Sequence, residues 1–369
     1  MPHAFAYIPN CARVCFQCVI FAVAVARAEA QSTCSHAPIA DLFPSDGVAN
    51  DHVGIKSAMN ASGDRVILGS TGHGHANIPS GAAWVISNPG AANQSEFELY
   101  PIGAAAQMAF GWSIKTNANG DVVVIGAPGT SSSPLKPRVY VYRFNGTSWI
   151  EEWYVASTTR DQRGFSVAIN ASGDLIAAGA PFHSGGTQFT DHIGGVYVYR
   201  HQSTGWVQEA LLLPAQAMGN EYNGNEIAMS ADGSLIAMRS FAGAAPLSNG
   251  AVYLFQRVGN TWTEVARLQE PVAYSTGGFG ISIAIDAVGH TVAIGNYSDS
   301  RIAYEQGAVS IFSKHTSGWA FDAALLPTYP TVQCHLGSHV AINASGDRVL
   351  AGAVLHELNG VYTGAVQEF

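Results

Sequence analysis

Apolar residues in this chain gather in short runs of four to eight. Some alternate with polar residues and some are solidly apolar, as in Ser166-Val-Ala-Ile169, Asp121-Val-Val-Val-Ile125 and Val139-Tyr-Val-Tyr142. They are rich in Val, Ile, Tyr and Phe, which favour a pleated, half-buried surface. A turn such as Asn170-Ala-Ser-Gly-Asp174 separates one run from the next. Gly at the fourth turn position supplies a positive φ, and Asn or Asp at the first can hydrogen-bond the backbone two residues on. The pattern predicts β-hairpins rather than helix starts.

The pattern repeats six times. Leading glycines stand at Gly54, Gly111, Gly164, Gly224, Gly280 and Gly337, and turns begin at Asn60, Asn117, Asn170, Ser230, Asp286 and Asn343. A fourth run usually opens on tryptophan, at Trp149, Trp206, Trp262 and Trp319. Each unit therefore predicts a four-stranded antiparallel meander. Six such units predict an all-β, six-bladed β-propeller. The last copy stops at its third strand, Gly364-Ala-Val-Gln-Glu-Phe369. Pro38-Ile-Ala-Asp-Leu-Phe-Pro44 resembles the missing fourth, so the N-terminal strand is expected to close the last blade. Third-strand aromatics (Tyr140, Tyr142, Tyr197, Tyr199, Phe255, Phe312) are expected to pack between blades, and Glu151, Glu152, Glu209 and Glu264 to face solvent.

The first residues read differently. Arg13 precedes an apolar stretch from Val14 to Ala26, followed by Ala28-Glu29-Ala30. This is the layout of a secretory signal over residues 1–30, with one propeller domain over 31–369. The apolar stretch falls short of the ~20 residues a spanning helix needs, and no second candidate span follows. An uncleaved leader acting as a membrane anchor is the alternative. Export agrees with cysteine usage. Only Cys34 and Cys334 lie beyond the leader, and blade closure would bring them together as a disulfide. Closing a loop of about 300 residues would contribute roughly 5 kcal/mol in the chain-entropy model. The other reading is two unpaired thiols. Asn60, Asn93, Asn145, Asn170, Asn296 and Asn343 stand in N-glycosylation sequons, although three of these are the repeat turn itself. A net charge of −9 without a basic cluster excludes nucleic-acid partners.

Phe110-Gly111 with Gly126-Ala127-Pro128, Phe279-Gly280 and Gly179-Ala180-Pro181 resemble FG-GAP repeats, the units of the integrin α-subunit propeller. The resemblance spans roughly residues 37–369. Copies one and four depart from it, with Leu68-Gly69-Ser70-Thr71 and Met238-Arg239-Ser240-Phe241 in place of Gly-Ala-Pro. It implies extracellular recognition or adhesion through loops on one face. It also implies Ca²⁺ between the first two strands, but that ligand pattern is absent. Asn117-Ala-Asn-Gly-Asp121 offers one carboxylate, whereas calcium takes six to eight oxygens. No cofactor or metal is expected.

Chemistry-bearing residues are sparse. His73-Gly74-His75 has zinc-ligand spacing but lacks a third and fourth ligand in sequence. Asp51 and Asp161 stand three residues before a leading glycine, a pair that invites comparison with glycosidase carboxylates, yet turn roles explain them as well. No nucleophile elbow, H-E-x-x-H or P-loop occurs. The expectation is a secreted or cell-surface binding module, preferred over an enzyme, that recognises an extracellular protein or glycan. Contact would come from loops after the second strands: 71–79, 129–136, 182–191, 242–249, 297–305 and 355–362. His73, His75, Phe182, His183, His192, Tyr297 and His356 lie in these loops. The alternatives are a propeller-fold hydrolase acting on extracellular carbohydrate, and a lectin.

Overall fold

The computed structural model describes residues 41–75, 78–130, 133–184, 192–217, 219–241, 250–272, 278–328, 330–358 and 361–369. The leader, Cys34 and loop 242–249 lie outside these residues, as do parts of loops 71–79, 129–136, 182–191 and 355–362. All regular structure among the described residues is β, and no helix there is long and apolar enough to cross a membrane.

Blade three shows how the repeat folds. Its strands are Ser166–Ile169, Leu175–Gly179, Val196–Gln202 and Gly205–Leu212, each antiparallel to the next. Asn170 closes the first hairpin from within. Its Oδ1 accepts from the Asp174 and Leu175 amides at 3.1 and 3.0 Å, and its Nδ2 donates to Asp174 Oδ1 at 2.7 Å. Asn60, Asn117 and Asn343 do the same in their own turns. The recurrent Asn and Asp are thus explained by turn construction. Corresponding sheets span 57–99, 113–156, 227–268 and 279–325, and a three-stranded sheet at 336–368 makes six blades.

Neighbouring blades pack through continuous apolar layers. Phe110, Tyr140 and Tyr142 join Ile67 and Val85 between blades one and two. Tyr197 and Tyr199 fill the next interface, Phe255 the one after, and Phe312 the fourth. Blade five packs on blade six through Val309, Leu336 and Ala351. At the inner strands the approach is backbone to backbone. A Cβ on Gly179 would stand 2.0 Å from the Gly224 carbonyl of the next blade, and Ser166 Oγ donates to that same oxygen at 2.7 Å. Gly126 repeats this against Gly164, with Ser113 donating. This contact is why the second strand carries glycine there.

The hairpin turns also link around the ring. Ala61 donates to Ala118, Ala118 to Ala171, Ala171 to Ala231, Asp232 to Ala287, and Ala287 to Ala344. Among the described residues no bond returns from Ala344 to Ala61. Blade six is also the least covered. Val366 is 39% exposed, whereas Val139, Val196, Val252 and Val309 at the same register are fully buried.

The expected N-terminal closing strand is not seen among the described residues. Residues 41–44 form no strand, residues 38–40 lie outside the described ones, and the last sheet has three strands. Leu42 packs on Val66, Leu68 and Ile86 of blade one, as the outer-strand Leu268 packs on blade five. The exit of such a strand is nonetheless recognisable. The Ser45 amide donates to Glu96 of blade one at 3.0 Å, just as Ile102 donates to Glu151 and Ala215 to Glu264 of the blades that follow them.

Candidate functional site

A meander that begins at the axis returns to the same face twice per blade. Loops between strands two and three therefore share a face with the linkers between blades. Backbone bonds confirm that they interlock: Phe182 donates to Asp161, Tyr222 to His192, Phe241 to Glu221, and Gln333 to Tyr304. The described parts of the predicted binding loops are thus brought to one face.

Within that face the predicted residues form separate groups. Phe182, His192 and Tyr222 cluster between blades three and four, with His192 stacked on Tyr222 at 5.5 Å and Phe241 at the margin. His183 contacts the Tyr197 hydroxyl at 3.1 Å, and burial lowers its pKa. Tyr297 lies edge-on to His335. His356 Nδ1 is 3.6 Å from the buried Cys334 thiol, which burial pushes up in pKa. Cys334 carries no disulfide among the described residues, and its expected partner Cys34 lies outside them.

Asp51 and Asp161 do not form a carboxylate pair. Each is engaged with a cationic or ionisable partner near its own blade. Asp161 Oδ2 accepts from Arg163 Nη2 at 3.0 Å, and Arg163 lies 3.5 Å over the Tyr197 ring and donates to the Tyr199 hydroxyl. Asp51 Oδ2 is 2.9 Å from His73 Nδ1. His73, only 5% exposed, sits edge-on to Trp84 and turns Nε2 toward Asp46 at 3.6 Å and Glu98 at 3.7 Å. Trp84 Nε1 donates to Asp46 Oδ1 at 3.1 Å. His75, stacked on Tyr100 at 3.6 Å, lies 3.1 Å from both Glu98 oxygens.

A second group lines the axis, and the sequence reading missed it. Position two after the leading glycine is Ser113, Ser166 and Ser282 in three blades but Lys56, Glu226 and His339 in the others; Lys115 stands two positions further on in blade two. Lys56 and Lys115 are exposed, and burial lowers the Lys115 pKa while Glu226 pulls it up and Lys56 pushes it down, which places these groups near one another. Burial pushes the Glu226 carboxyl up, against the pull of Lys56, Lys115 and Arg239. Burial, followed by Lys56 and Lys115, pushes His339 down to about 4. The available signal was the break in the serine pattern.

The sequons divide by environment. Asn93 and Asn145 are exposed. Asn60 and Asn170 are buried turn residues, Asn296 is fully buried against Glu270, and Asn343 is half-buried in its turn.

Comparison with known proteins fits the fold without naming a function. The chain resembles the crystal structure of Sqt1 from Chaetomium thermophilum, with a TM-score of 0.51 and 17% identity over 81% of this chain and 66% of that one. It therefore spans just under two thirds of that protein. No family model and no curated protein matches the chain. The comparisons lend no support to the FG-GAP and integrin resemblance, which rests on the repeat residues alone.

The expectation about the outer-strand glutamates fails for a clear reason. In blades two and three the outer strand carries a β-bulge whose extra residue is Glu152 or Glu209. A bulge re-aims its side chain, here across to the next blade. Glu152 accepts from Arg143 at 2.9 Å and from Trp206 Nε1 of blade three at 3.2 Å. Glu209 accepts from Arg200, and from Arg257 and Trp262 Nε1 of blade four at 2.7 and 2.8 Å. These glutamates hold blades together.

Proposed function

We propose that this chain is a binding module that docks a protein partner on the face built from the second-to-third-strand loops and the interblade linkers. One observation carries the reading. Large apolar side chains are exposed on that face across blades five, six and one: Ile302, Tyr304, Val332, Tyr362, Phe43 and Val48 are 58–75% accessible. Exposed apolar residues gathered on one face favour a macromolecular contact, and propellers commonly serve as protein-binding scaffolds. An extracellular site of action is the finer part of the proposal, supported by the leader pattern at residues 1–30 and the exposed sequons at Asn93 and Asn145.

The test compares wild type with the Tyr304→Asp, Val332→Asp double variant as affinity baits against extracellular protein fractions, with a glycan array as a parallel arm. Proteins captured by wild type and lost with the folded variant support the reading. Unchanged capture, or binding confined to the glycan array, rejects it. For the location, N-terminal sequencing of the chain from a secreting host is expected to begin near residue 31. Retention inside the cell overturns that part.

The axial cluster favours a second reading, an enzyme acting on a carbohydrate or another small substrate there. Its basis is the convergence of Glu226, Lys115 and His339 with shifted ionisation. Equal turnover of glycoside and ester substrates by wild type and Glu226→Gln would sink it.

A further inference from the structure

We propose that Asp46, His73 and Glu98 form a binding site for a divalent transition ion of the zinc type. One donor atom from each lies within 4.8 Å of the others. For metal–ligand bonds of about 2.1 Å, adjacent ligands of a tetrahedral ion stand about 3.4 Å apart. The two edges from His73 Nε2 measure 3.6 Å to Asp46 and 3.7 Å to Glu98, close to that spacing, and the third edge, Asp46 to Glu98, lies within 4.8 Å.

The surroundings are those of a supported site rather than an accidental acidic patch. Asp51 Oδ2 takes the other imidazole nitrogen at 2.9 Å, which fixes the ring and leaves Nε2 facing the two carboxylates. Carboxylate–histidine–metal arrangements orient their ligand in this way. Asp46 is steadied by Trp84 Nε1 and Glu98 by His75. His73 itself is buried, so its ring cannot swing out to water. Three carboxylates, Asp46, Asp51 and Glu98, face the His73 ring, a concentration of acceptor oxygens that suits a cation. One imidazole with carboxylate oxygens suits zinc and its neighbours better than calcium. Asp46 is 48% exposed, so the fourth position opens to solvent. The three ligands come from the linker into blade one, its second-to-third-strand loop and its outer strand. A bound ion would pin the linker to the edge of the proposed docking face.

The test is isothermal titration of chelator-treated full-length protein with Zn²⁺, repeated on Asp46→Asn and Glu98→Gln. Both variants keep side-chain shape at partly exposed positions, and circular dichroism without metal checks their folding. The expected result is one ion per chain with micromolar or tighter affinity, weakened at least tenfold in each variant. Absence of saturable one-to-one binding up to about 100 μM metal, or wild-type affinity in both folded variants, overturns the site.

Discussion

Blade four lacks the glutamate that latches its predecessors to their neighbours, and restoring it should stabilise the ring. Its outer strand has the same bulge, but the extra residue is Val265. Trp319 Nε1 of blade five, the counterpart of Trp206 and Trp262, is buried without a hydrogen-bond partner. A buried unpaired N–H costs roughly 1–3 kcal/mol. Val265 is 43% exposed, so replacing it sacrifices little burial. Lys314 stands at the register of Arg257, each opposite the tryptophan that opens its outer strand. Val265→Glu should therefore gain one charge-assisted bond to Trp319 and one partly screened pair with Lys314. The expected gain is about 1–2 kcal/mol.

The reverse experiment is Glu209→Ala. It strips Arg200, Arg257 and Trp262 of a carboxylate that is 7% exposed. Removing one partner of a buried pair costs about 3–5 kcal/mol, and both arginines are 20% exposed, so roughly 2–3 kcal/mol is expected here. Burial opposes ionisation of Glu209, but hydrogen bonds from Arg257, Arg200 and Trp262 outweigh it and hold the carboxyl below the usual value. Its contribution is thus present above about pH 4.5 and fades as pH falls through the folded value. Urea unfolding at pH 7, read by far-UV circular dichroism, should move the midpoint up for Val265→Glu and down for Glu209→Ala at constant slope. A neutral or destabilising Val265→Glu, combined with a loss under 0.5 kcal/mol for Glu209→Ala on the scale of an ordinary surface change, would refute the latch argument.

The same scaffold allows two further tests. Gly179→Ala places a Cβ 2.0 Å from the Gly224 carbonyl and should cost at least ~1–3 kcal/mol by forcing blades three and four apart; a midpoint equal to wild type would contradict the close approach. His339 is lowered from 6.5 to about 4 by burial and by Lys56 and Lys115, so its contribution is complete above pH 6.5 and lost as pH falls toward 4. That loss amounts to roughly 3 kcal/mol, and His339→Gln should flatten the stability profile in this window; an unchanged profile would mean the axis is better solvated than its geometry implies.

Much of this architecture was written in short-range sequence. Strand, turn and blade count follow from a repeat whose period is read directly, because alternation and Asn-x-x-Gly-Asp turns act within a few residues. Tertiary structure decided the rest. Glu209 and Trp262 lie 53 positions apart in sequence, and only a bulge in one blade and the docking of the next make them partners. Asp46, His73 and Glu98 come from three segments whose spacing carries no metal signature; the folding of blade one and its entering linker gathers them. Lys56, Glu226 and His339 were merely breaks in a serine pattern, and Lys115 a single lysine two positions further on, until six inner strands faced one axis. Local patterning fixes elements because its interactions are local, whereas a site made by the ring exists only once the ring has formed.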